Sequence, residues 1–135
     1  MTDLLERLQA ADSRYAAVAL FQEVAHLLGD ECPEDFKNHT NLAYTSVSDT
    51  RAWGYLLLAA MTLVPEGWVI RKISTDIHVD HQDCPAHAEL GETPWAHVSD
   101  DKITEGHAAT PALALTIAAL RARESAQPEE HTDGE

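Results

Sequence analysis

The chain has 135 residues, 44% of them hydrophobic and 24% charged, with a formal net charge of −14. That length predicts a single domain with a modest core. The acidity argues against binding to a nucleic-acid backbone or an anionic membrane surface, both of which call for Lys and Arg, and suits a basic partner or plain solubility.

No apolar run approaches the ~20 residues of a membrane span. The opening MTDLLERLQA lacks the basic and apolar regions of a secretory signal. Two cysteines do not make a disulfide scaffold. The expectation is therefore a cytoplasmic, reduced protein.

Asp3 is placed to cap a first helix, with Glu6 in a capping-box position and Leu4, Leu5 and Leu8 as the apolar side. Asp12 or Ser13 then kinks this helix or caps a second one. From Arg14 to Leu28, residues Ala17, Leu20, Phe21, Val24, Leu27 and Leu28 recur at helical steps, and Gly29 fits a left-handed stop. Asp30 to Asn41 (DECPEDFKNHTN) carries turn formers and charge without a period and reads as loop. Leu42 to Val47 reads as a short extended piece. Ser48, Asp49 or Thr50 caps the next helix, which runs through Trp53, Leu56, Leu57, Ala60 and Met61 to about Leu63.

After a turn at Pro65-Glu66-Gly67 the period changes. Trp68 to Val79 is rich in β-branched residues, with Ile73, Ile77 and Val79 on one parity and Trp68 and Ile70 on the other. One flat strand cannot bury both sets, so a bulge near Arg71-Lys72, or burial on both faces, is expected. Asp80 to Pro94 reads as a polar connection, Trp95 to Val98 as a second strand, and Ser99 to Gly106 as a turn with a few extended residues around Ile103.

The clearest element follows, in the stretch from Ala108 to Arg123. Thr110 is a good N-cap, Pro111 suits the first helical position, and Leu113, Ile117 and Leu120 form one apolar face. Ala112, Ala114, Ala118, Ala119 and Ala122 favour helix and allow close approach to a neighbour. The run after Arg123 is acidic and poor in apolar residues, as a disordered tail over 124–135 would be.

These elements predict an α+β fold over residues 1–123. An antiparallel sheet of Trp68–Val79 and Trp95–Val98 is covered by the Asp49–Leu63 and Thr110–Arg123 helices. The N-terminal helices add to that layer or mediate self-association. Leu57, Met61, Ile73, Ile77, Val98, Leu113, Ile117 and Leu120 are the expected core, with Trp53, Trp68 and Trp95 in it or at its edge.

The segments Tyr44-Thr45-Ser46, then Leu63-Val64-Pro65-Glu66-Gly67-Trp68, then Ala109-Thr110-Pro111-Ala112-Leu113-Ala114-Leu115 stand in a familiar order. Over roughly residues 43 to 123 the chain resembles the phage ABA-sandwich-domain family, small proteins of phages and prophages. The resemblance implies a small, mainly antiparallel sheet with packed helices. It implies no established activity and supplies no catalytic residues. The histidine-bearing connection and the long helix and loop before Tyr44 depart from the family's pattern, so an individual function could sit there.

That connection is the segment densest in chemistry. His78, His81, Cys84 and His87 are interleaved with Asp76, Asp80 and Asp83, and imidazole, thiolate and carboxylate are all zinc-competent. Cys32, His97 and His107 could add ligands. The spacing matches no established zinc signature. The default is therefore a solvated connection with surface histidines and no cofactor, and the alternative is a zinc site at His78, His81, Cys84 and His87. A Cys32–Cys84 disulfide is a further alternative. Nucleophilic catalysis finds no GxSxG elbow, and the six glycines form no phosphate loop. Asp100-Asp101 reads as turn.

The first expectation for function is a non-enzymatic phage or prophage accessory protein. It would act in the bacterial cytoplasm by binding a host or phage protein, or a small ligand, with antagonism of host defence as one purpose. The alternatives are a metal-binding domain or metal-dependent hydrolase built on His78–His87, and a structural virion or assembly component working as a homo-oligomer.

Overall fold

The last described helix is buried on every side from Ala112 to Leu120, between the sheet and helices of the other layer. The computed structural model describes residues 2–75, 86–92 and 102–126. This last helix, α5 (Pro111–Ala126), opens as its sequence demands: the Leu113 amide donates to Thr110 Oγ1 at 3.4 Å, and Pro111 takes the first position. Every residue from Ala112 to Leu120 is buried. The one polar side chain among them, Thr116, donates to the Ala112 carbonyl at 2.8 Å, so its hydroxyl is satisfied without water.

One side of α5 meets a three-stranded antiparallel sheet of β1 (Val69–Thr75), β2 (Ala86–Gly91) and β3 (Ile103–Ala108), in the order β1-β2-β3. The contact is close because the facing residues are small. Ala86, Ala88, Gly106 and Ala108 are all buried there. A Cβ added at Gly106 would stand 2.9 Å from Ala118 N and from Ile117 Cβ, and closer still to the Ala114 carbonyl oxygen. The Thr104 hydroxyl donates to the Ala118 carbonyl at 2.8 Å, a second link between β3 and α5.

The expected irregularity in β1 is present. Ile70 pairs with Leu90 and Lys72 with Glu89, so Arg71 is the extra residue of a bulge. The bulge brings Ile70 and Ile73 to one face despite their odd spacing.

Among the described residues four further α-helices precede the sheet: α1 (Thr2–Ala10), α2 (Arg14–Leu28), α3 (Glu34–Thr45) and α4 (Asp49–Thr62). Ser13 accepts from the Ala16 amide and Ser48 from the Arg51 amide, so among the alternatives the sequence leaves open these two serines are the caps. Asp3 stands within the first turn of α1 and pairs with Arg7. Arg7 in turn grips Glu23 of α2 through two hydrogen bonds of 2.9 and 2.7 Å, and that partner holds the Glu23 carboxyl below its usual range. α4 packs on α3 and α5, and α1 reaches α5 as well. Among the described residues no helix is long and apolar enough to cross a membrane.

The fold is α+β, with several corrections to the elements. Residues 34–45, expected as loop and extended chain, are helix α3. Phe36, Thr40 and Ala43 are buried at helical spacing, and Thr40 hides its polarity by donating to the Phe36 carbonyl at 2.8 Å. The Phe36 ring stacks on Phe21 with centroids 5.3 Å apart. Residues 86–91, expected as connection, form the central strand, and the turn around Ile103 is β3. The expected strand Trp95–Val98 and residues 76–79 lie outside the described residues. α5, rather than α4, provides the main cover of the sheet.

Leu113, Ile117, Leu120 and Trp68 are core, whereas Leu57 is half-buried, Met61 is 45% exposed and Ile73 is 37% exposed. Met61 and Ile73 were misassigned because periodicity marks a face without saying whether a neighbour covers it. Ile77, Val98 and Trp95 lie outside the described residues.

The close approach at Gly106 gives a stability test. Gly106→Ala is expected to lose about 3 kcal/mol in urea unfolding, because the methyl group meets helix backbone that cannot rotate away. Gly54→Ala, on the open surface of α4, is expected to gain up to about 1 kcal/mol. Equal effects would mean that α5 does not lie this close to β3.

Candidate metal centre

The small residues on the inner face of the sheet decide what stands on the outer one. Side chains alternate along a strand. With Ala86, Ala88 and Leu90 turned inward, His87 and Glu89 of β2 face out; with Gly106 and Ala108 inward, so do Glu105 and His107 of β3. His87 and His107 are direct cross-strand partners, and Glu105 is two residues before His107 on the same face.

These three side chains converge. The imidazole rings of His87 and His107 stack with centroids 4.5 Å apart and planes 12° apart. Glu105 Oε1 lies 3.4 Å from His87 Nε2 and 3.6 Å from His107 Nε2. One donor atom from each residue lies within 4.8 Å of the others. Two donors each about 2.1 Å from a tetrahedral zinc ion are about 3.4 Å apart, so both histidine–carboxylate separations suit a shared ion. His87 Nε2 is sealed from solvent and makes no hydrogen bond, and a buried polar nitrogen left that way costs free energy unless something takes its lone pair or proton.

The surroundings hold the group in place. Glu89 and Glu105 are cross-strand partners, and like charges so placed repel. Arg71 offsets this: its side chain is 4% exposed and its Nε stands 3.4 Å from Glu89 Oε2. The bulge in β1 is what inserts Arg71 into this row. Behind the sheet, Arg121 of α5 donates to the Glu105 main-chain carbonyl at 2.7 Å. The backbone between the β3 donors is thus fixed by Gly106 against α5 and by Arg121.

Of the four residues singled out as a zinc site, His87 belongs to this cluster; His78, His81 and Cys84 lie outside the described residues, as do Asp76, Asp80, Asp83, His97 and the Asp100-Asp101 pair. His107, named as a further ligand, stands beside His87. Glu105 was missed, although Glu105-Gly106-His107 has the spacing that puts two donors on one face of a strand. The signal is hidden because residues 99–106 read as a turn with only a few extended residues around Ile103, whereas β3 runs on to Ala108. Cys32 sits in the core of the helical layer, and its thiol is free and buried. Burial pushes that thiol above its ordinary value of 9.0, with Lys37 and Arg123 opposing.

A buried thiol of raised pKa reacts slowly, since the thiolate is the nucleophile. Peptide mapping after iodoacetamide treatment should find Cys32 unlabelled in folded protein and labelled in denaturant. Rapid labelling of the folded chain would show that the helical core does not enclose it. Comparison of the chain with protein-family models, with curated proteins and with solved structures finds no match in any of the three, so function is read from the geometry of this site.

Proposed function

We propose that the protein binds a divalent transition metal, zinc by the chemistry of its donors, through His87, Glu105 and His107. The observation that carries this is the convergence of two imidazole nitrogens on one carboxylate oxygen of Glu105 at 3.4 and 3.6 Å. Imidazole nitrogen and carboxylate oxygen suit zinc, whereas magnesium and calcium prefer oxygen donors throughout. The metal-binding alternative raised by the histidine-rich segment thus draws support from His87, with two partners from β3.

Zinc titrated into protein without a histidine tag is expected to bind once per chain by native mass spectrometry. At about a hundred times its dissociation constant it should stabilise the fold by about 2.7 kcal/mol, seen as a raised Tm. His87→Ala and His107→Ala should abolish both effects, and Glu105→Gln should weaken binding at least about tenfold. No stoichiometric uptake, or uptake unchanged in the histidine variants, would overturn the reading.

A second reading is favoured by the end of α3, where Leu42, Tyr44 and Val47 are 44%, 63% and 96% exposed within six residues. Exposed large apolar side chains so near one another in sequence suit a protein partner, and the net charge of −14 favours a basic one. On this reading the chain is a phage or prophage accessory protein acting on a host protein in the bacterial cytoplasm. Val47→Glu should then abolish capture of that partner while leaving Tm and zinc uptake unchanged; capture unaffected by the substitution would count against it.

A further inference from the structure

We infer that an ion held by His87, Glu105 and His107 keeps at least one open coordination position, and that this position takes a small anion. The inference rests on the metal reading above and deepens it.

All three donors rise from one face of one sheet. Two are cross-strand partners and the third is two residues along the same strand. An ion bound to all three sits above the strands, with its protein bonds on the sheet side. Its remaining positions point away from β2 and β3. The side chains of His87, Glu105 and His107 are 21%, 50% and 31% exposed, so solvent reaches the rim of the group. Among the described residues the group has three members, and zinc takes at least four ligands. Glu89, the nearest further carboxylate along the strands, is engaged by Arg71 at 3.4 Å. Sites with three protein ligands fill the fourth position with water or an exchangeable ligand, whereas closed structural sites use four side chains.

Charge selects the class of ligand. Two neutral imidazoles and one carboxylate leave a divalent ion with a net charge of about +1. The chain as a whole is strongly acidic, but its distant charges are screened beyond about 8 Å at physiological ionic strength. The ion and its direct ligands therefore govern what binds, and an anionic oxygen or nitrogen donor is favoured over a cation or a neutral molecule.

Cobalt(II) reports the coordination shell through its visible absorption, and azide is a small anionic probe. Full-length protein loaded with cobalt is expected to show a visible spectrum that azide shifts saturably, at one azide per cobalt. His107→Ala, checked for folding by circular dichroism, should lose the cobalt spectrum and the azide response together. Stoichiometric cobalt with a spectrum that azide cannot alter would overturn the open position while leaving the metal reading intact. So would a thiolate-to-cobalt charge-transfer band, which would show a cysteine filling the site. Failure of cobalt and zinc to bind at all would overturn both.

Discussion

The contact of α5 with β3 at Gly106 is the constraint on which the other features depend. No side chain fits between the strand and the Ala114–Ala118 turn of the helix. With that spacer absent, the alanines of β2 and β3 reach the helix directly, and Ile117 and Ala118 close over the sheet. Close packing of this kind gains many small dispersion contacts and leaves no void to fill. The Thr104 hydrogen bond to the Ala118 carbonyl and the Arg121 hydrogen bond to the Glu105 carbonyl fix the register of strand and helix over the two residues before the glycine.

The candidate metal centre is the reverse side of the same contact. Because the inner face of β2 and β3 is filled with alanine and glycine, the alternate positions must carry the polar residues. The pleat then sets His87 beside His107 with no loop needed to arrange them. A cluster built on paired strands holds its donors more firmly than one on a connecting segment. The bulge at Arg71 contributes as well, since it places a guanidinium against Glu89 and limits repulsion between the two neighbouring glutamates.

The helical layer is joined by charged side chains as well as by its apolar core. Arg14, nearly buried at the start of α2, pairs with Asp49 at 3.1 Å and donates to the Ser48 carbonyl at 3.2 Å, which ties the beginnings of α2 and α4 together. Arg123 donates to the Leu63 carbonyl at 2.7 Å and so secures the end of α4 to α5. The Leu63 carbonyl lies at the C-terminal end of α4, where a helix leaves its carbonyls without partners, whereas the Ser48 carbonyl at the other end also accepts from the Ala52 amide.

Local chemistry was enough to read the elements whose signals lie in consecutive residues. Ser13 and Ser48 are among the caps the sequence offers, Thr110 and Pro111 open α5, and the mismatched parity of Ile70 and Ile73 left a bulge as one of two solutions, the one the strand takes. Helix α3 escaped because Thr40 counts as polar until its hydroxyl is seen bonded within the helix. Strands β2 and β3 escaped because, Leu90 apart, their buried inward residues are alanine and glycine, too small to register as an apolar face. Of the three candidate ligands, His87 was legible as histidine density and His107 as a possible further ligand, while Glu105 was not. Strand pairing is what brings the three together. Composition and spacing along the chain fixed which groups were available for chemistry; the depth to which α5 seats on the sheet decided which of them meet, because only that contact turns the small residues inward and the donors outward.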